Sequence, residues 1–186
     1  APHLLDAALY ADFYAELPSR EQLSAQLADI LREDTGLEEG IDMLCLFRNE
    51  KQFQAGVHLL KGMITAERAG EFLSDLADLV LTETYRLAGL AFAKEYGHIK
   101  DSAFAVLAMG KLGSREMTFA SDIDIIFVYD APEESLSDGV KSYPPTVYYN
   151  RLAQRLLNLL TSMGRHGRLY EVDLRLRPSG GQGLLI

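Results

Sequence analysis

The chain has 186 residues, a formal net charge of −9 and a single cysteine, Cys45. That length suits one large domain or two small ones with ample material for a core, while the acidity does not suit a protein that grips long nucleic acid through its phosphates, which needs a basic face. One cysteine excludes a disulfide within the chain and any multi-cysteine zinc site, and no apolar run approaches the length that crosses a bilayer.

Residues 3 to about 97 read as helical. Leu5, Leu9, Phe13 and Leu17 fall at i+4 steps before Pro18. Ser19 and Gln22 form a capping box for a second helix bearing Leu23, Leu27, Ile30 and Leu31, with Gly36 predicted as its end. A third stretch runs from about Glu38 to Lys61. Thr65 caps a long fourth helix through Phe72, Leu76, Val80 and Phe92, and Gly97 is placed for its C-terminal cap. The pattern then changes. Ala103 to Met109 is a continuous apolar run that predicts a buried strand, and Ile123 to Tyr129 predicts another. Glu133 to Pro145 is polar and reads as a mobile loop. Residues 146 to 163 predict a helix closed by Gly164. Leu169 to Arg177 alternates, with Val172, Leu174 and Leu176 one way and Glu171, Asp173, Arg175 and Arg177 the other. The expected fold class is α+β, with a helical segment over residues 1–100 and a small mixed sheet with helices over residues 101–186. The chain starts mid-pattern and reads as a fragment of a longer protein.

The chemistry concentrates in two stretches. Gly110-Lys111-Leu112-Gly113-Ser114 is a glycine turn between a strand and a helix start, where backbone N–H groups favour anions. Ser121-Asp122-Ile123-Asp124 then opens a strand. Residues two apart in a strand share a face, so Asp122 and Asp124 aim side by side. Adjacent carboxylates repel unless a cation lies between them, and oxygen-only ligands suit Mg²⁺. Asp173, on a later strand, supplies a third carboxylate. Three such groups can hold two Mg²⁺ ions roughly 3.5–4 Å apart, the clamp for in-line displacement at phosphorus. Arg175 and Arg177 share the face of Asp173 and can pair with it or recognise phosphate. Lys111 is a further phosphate contact or a solvent-facing lysine. His3, His58, His98 and His166 are scattered and read as packing or surface residues. Tyr148 and Tyr149 read as core or rim, and Cys45 as a buried inert thiol.

A glycine turn, a D-x-D strand and a third aspartate on a later strand resemble the DNA polymerase β-like nucleotidyltransferases. Met109 to Glu116, Ser121 to Asp124 and Tyr170 to Gly180 resemble, within that superfamily, the glutamine synthetase adenylyltransferases. The resemblance implies a nucleotidyltransferase fold and a bifunctional family with two such domains. One domain transfers AMP from ATP to a tyrosine of glutamine synthetase, and the other removes it by phosphorolysis. It implies Asp122, Asp124 and Asp173 as metal ligands, and Gly113, Ser114 and Ser121 at the nucleotide phosphates. Mg²⁺ and ATP, glutamine synthetase as protein substrate, the PII signalling protein as regulator of the full-length enzyme, and a cytoplasmic location follow as expectations. The adenylylating half is the closer match. The deadenylylating half, and a non-catalytic interaction module with a vestigial fold, stand as alternatives.

Overall fold

The computed structural model describes residues 11–32 and 34–173. A 3-10 turn, Ala11–Tyr14, precedes three helices: α1 (Arg20–Ile30), α2 (Leu37–Leu60) and α3 (Ala66–Tyr96). Strand β1 (Ala103–Met109), the short helix α4 (Gly110–Gly113), β2 (Ile123–Asp130), α5 (Pro145–Thr161) and β3 (Val172–Asp173) follow. The α+β class expected from the sequence is what the chain adopts. Most of the first expected helix lies outside the described residues, and its described end is only the 3-10 turn.

Helix α1 starts where local chemistry places it. Ser19 Oγ accepts from the Gln22 N–H, and Gln22 Oε1 accepts from the Ser19 N–H at 2.8 Å. Ser19→Ala removes half of this reciprocal cap and costs about 1 kcal/mol. For a chain of this size, that lowers the thermal midpoint by roughly 2–4 °C; an unchanged midpoint in a calorimetric scan would show the cap to be idle. The helix stops at Ile30 because Leu31 turns extended, with φ −91° and ψ 92°. Gly36, expected to end α1, is instead the N-cap of α2. Thr65 caps α3 by accepting from the Arg68 N–H at 3.2 Å, and Gly97 closes that helix with φ +68°. Helix α5 ends at Thr161, short of the expected Gly164, because Ser162 leaves the helical region with ψ 141°.

The sheet has the order β1-β2-β3. β1 pairs antiparallel with β2, with Ala105 opposite Val128 and Met109 opposite Asp124. β2 pairs parallel with β3, with Ile123 opposite Val172 and Asp124 opposite Asp173. Helix α5 supplies the crossover that a parallel pair requires. Ile123, Ile125 and Phe127 are buried on one sheet face, in one hydrophobic cluster with Leu156 and Leu160 of α5 and Leu76 and Val80 of α3. Phe104 stacks on Tyr85 of α3 and on Tyr149 of α5, at 5.5 and 5.6 Å between ring centres. Tyr148 and Tyr149 are core residues, as read from the sequence. Cys45 is buried too.

Two expectations change here. β1 is not buried on both sides. Among the described residues, helices cover only the face bearing Phe104 and Val106, while Leu107 and Met109 on the other face are 47 % and 39 % exposed. The polar stretch 133–145 is not a free loop. Its Asp138 carboxylate accepts from the His98 N–H at 2.7 Å, its Gly139 N–H donates to the Tyr96 carbonyl at 3.1 Å, and Lys141 pairs with Glu95. Among the described residues, no helix is long and apolar enough to cross a membrane.

Candidate active site

The alternation of β2 decides where the carboxylates stand. Its odd-numbered residues face the core, so Asp124 lies on the opposite face, half-buried between Met109 of β1 and Asp173 of β3. Asp122 precedes the strand and is exposed. The Ile123 N–H donates to the Glu171 carbonyl at 2.9 Å, which fixes the register that sets Asp173 beside Asp124. The structure thus brings two of the three sequence-predicted aspartates together as cross-strand partners, with the third two residues upstream. Among the described residues, no three His, Cys, Asp or Glu side chains converge into a ready-made metal cage. The donor set nonetheless fits Mg²⁺, which takes one or two carboxylates and completes its octahedron with water and phosphate oxygens.

The glycine turn sits directly over this pair. Gly110 has φ +49°, and a Cβ built there would lie 2.3 Å from Asp124 Oδ2. Only a residue without a side chain lets the turn lie against that carboxylate. Gly113 is constrained from the other side, since its Cβ would lie 2.7 Å from the Ala108 carbonyl oxygen. The helix that follows is a single turn of four residues. The N–H groups of Ser114, Arg115 and Glu116 are used inside the turn, by the carbonyls of Gly110, Leu112 and Lys111. The Ser114 hydroxyl donates to Glu116 at 3.0 Å, and Ser121 Oγ accepts from the Thr118 N–H at 3.0 Å. Lys111 is exposed. Arg175 and Arg177 lie outside the described residues. Glu171, on the same predicted face, pairs with Arg168 at 2.7 Å.

Sequence reasoning missed how the helical layer holds this turn. Arg115 adopts φ +63°, a conformation unfavourable for a residue with a Cβ. Its guanidinium reaches Asp75 of α3 at 2.9 Å, and Asp75 also holds Arg20 of α1 at 3.3 Å. Arg20 pairs in addition with Asp78. Two residues after Arg115, the Met117 N–H donates to the buried Ser74 hydroxyl at 3.3 Å. α3 therefore fixes the exit of the glycine turn through adjacent side chains. The readable signal was Ser74-Asp75 and Asp78 within an otherwise apolar helical run, where a buried carboxylate requires a partner.

A cavity of about 450 Å³ adjoins Asp122 on the helical side. Ser121, Asp122, Arg168 and Tyr170 line it together with Arg48 and Gln52 of α2. Burial pushes the Tyr170 phenol well above its ordinary range, so it stays protonated.

Residues 1–186 match the family model of the glutamate-ammonia ligase adenylyltransferases. A protein of Mesorhizobium japonicum named bifunctional glutamine synthetase adenylyltransferase/adenylyl-removing enzyme is 44% identical over 183 residues, 98% of this chain and 19% of its own length. Proteins of the same name from Brucella suis and Rhodopseudomonas palustris strain HaA2 are 42% and 41% identical, covering 98% and 99% of this chain. The chain spans about a fifth of the length of these curated relatives, 19% in each case. With a match that runs from its first residue to its last, this chain belongs to the glutamate-ammonia ligase adenylyltransferase family.

Proposed function

We propose that this chain carries a Mg²⁺-dependent nucleotidyltransferase centre that moves AMP from ATP to a tyrosine of glutamine synthetase. The observation that carries the reading is the pairing of Asp124 with Asp173 across β2 and β3, with the Gly110 turn laid against Asp124. Carboxylates on adjacent strands are the oxygen ligands that a Mg²⁺ ion takes, and a phosphorylated substrate brings one. The relatives' names supply the substrate class.

Asp122, Asp124 and Asp173 would hold Mg²⁺, two ions in the full arrangement. When bound, the metal neutralises charge on the phosphates and on the carboxylates that hold it. The chain's own residues do the rest. Gly113, Ser114, Ser121 and Lys111 flank the phosphates. Arg175 and Arg177 are assigned to phosphate charge from the sequence alone. The tyrosyl oxygen attacks the α-phosphorus in line, the bond to the β-phosphate oxygen breaks, and pyrophosphate leaves. The phenolic proton passes to a carboxylate, for which Asp173 is the candidate base. The PII protein is proposed only as a regulator of the longer enzyme.

A second reading is the reverse task, since the relatives are also named adenylyl-removing enzymes. In it, an orthophosphate oxygen attacks the AMP phosphorus, the bond from that phosphorus to the tyrosyl oxygen breaks, the freed phenolate takes up a proton, and ADP is the product. The two are separated by supplying Mg²⁺ with either ATP and unmodified glutamine synthetase, or orthophosphate and the AMP-modified form. The leading reading expects labelled AMP on the unmodified substrate. ADP released from the modified substrate, with no AMP incorporated in the first reaction, would replace it with the second.

A further inference from the structure

We propose that α2 contributes a phosphate subsite to this centre, anchored by Arg48. The proposal rests on the nucleotidyl-transfer reading and extends it to a residue far upstream of the motif stretches.

The cavity beside Asp122 lies between α2, the loop before β2 and the segment entering β3. Its two cations differ in kind. Arg168 is neutralised by Glu171 at 2.7 Å. Arg48 has no carboxylate partner among the described residues. Its guanidinium donates to Gln52 Oε1 at 3.2 Å and to the Arg168 carbonyl at 2.7 Å, and its buried Nε has no acceptor among the described residues. It lies 5.5 Å from the centre of the Tyr170 ring, whose buried hydroxyl likewise has no partner among the described residues. A half-buried guanidinium with no carboxylate partner among the described residues keeps its charge available to an anion. A ligand anion supplies the missing charge. Guanidinium forks match phosphate oxygens in geometry. A phosphate here would be held from one side by Arg48 and would lie beside Asp122, a proposed Mg²⁺ ligand. A cavity of about 450 Å³ admits a phosphate or a short polyphosphate with its water.

That phosphate has two possible sources, the triphosphate tail of a nucleotide or free orthophosphate. Titration calorimetry on this chain with orthophosphate, tripolyphosphate and ATP·Mg²⁺ distinguishes them, using wild type, Arg48→Gln and Arg48→Lys. Wild type is expected to bind at least one of the three, roughly 10–100-fold more tightly than Arg48→Gln. Arg48→Lys falls between, because an ammonium keeps the charge but not the fork. Dependence on Arg48 for tripolyphosphate and ATP alone assigns the subsite to the triphosphate tail, and dependence for orthophosphate assigns it to the free anion. Because Arg48 also holds the Arg168 carbonyl, ligand-free melting is recorded for every variant; if Arg48→Gln does not fold, Arg48→Lys carries the comparison. Equal affinities in wild type and folded variants, or no anion binding by wild type, would overturn the subsite. AMP transfer by wild type is assayed separately: transfer with Arg48-independent anion binding defeats this proposal alone, whereas absent transfer defeats the parent reading whatever Arg48 does.

Discussion

Asp124→Asn is expected to lower the proposed AMP transfer by on the order of 10³-fold while leaving the fold intact. The size follows from losing one preorganised charge at the point where transition-state charge develops, a loss of several kcal/mol in such sites. The fold should survive because Asp124 is only half-buried and stands opposite Asp173 in the β2–β3 register. Like charges directly opposite one another in a sheet destabilise it by up to about 1 kcal/mol, so a neutral isostere leaves the thermal midpoint unchanged or raised. Rate and melting, measured on one preparation, check both halves. A variant with near-normal transfer would remove Asp124 from the centre, and one that melts far below wild type would show its role to be structural.

Gly110→Ala should fail in both measurements. A non-glycine residue at φ +49° costs about 1–2 kcal/mol, and the new Cβ would lie 2.3 Å from Asp124 Oδ2. Either the turn or the carboxylate must move. The expected midpoint drop is roughly 3–8 °C for a chain of this length, with transfer reduced at least about 10-fold by displacement of Asp124. An Asp124→Ala background separates the two causes. There the clash is gone, and Gly110→Ala should carry only the backbone cost. Equal destabilisation in both backgrounds would show that the turn does not depend on its contact with Asp124.

How much of this was legible depended on the range of the interaction responsible. The Ser19–Gln22 box and the Thr65 cap are local, and their residue types alone placed two helix starts. Gly36 is ambiguous in sequence because glycine serves both ends of helices; the extended turn at Leu31 that ends α1 has no such residue to mark it. The apolar run of β1 announced a strand but not its environment. Which face of a sheet is covered depends on where helices pack, and here α3 and α5 take only one. The polarity of 133–145 suggested freedom, yet Asp138 and Gly139 find partners 40 or so residues earlier, at His98 and Tyr96.

The candidate site divides in the same way. The D-x-D spacing and the type of Asp173 could be read directly. That Asp173 stands opposite Asp124 required the parallel register, which Glu171 and Ile123 set through a backbone hydrogen bond at 2.9 Å. Arg115, Asp75 and Arg20 meet only because α1 and α3 pack beside the glycine turn. No spacing in a one-dimensional pattern brings those three together. The same holds for Arg48, whose neighbours Arg168 and Tyr170 are some 120 residues downstream.

The Asp122-x-Asp124 strand and Asp173 are proposed to form a metal-assisted nucleotidyl centre. Anomalous diffraction from crystals of this chain soaked with Mn²⁺ and a non-hydrolysable ATP analogue tests it most directly. The expected result is an anomalous peak within about 2.3 Å of carboxylate oxygens from Asp122 and Asp124, bridged to analogue phosphate. Analogue bound elsewhere, or Mn²⁺ at saturating concentration with no peak at these aspartates, would contradict it.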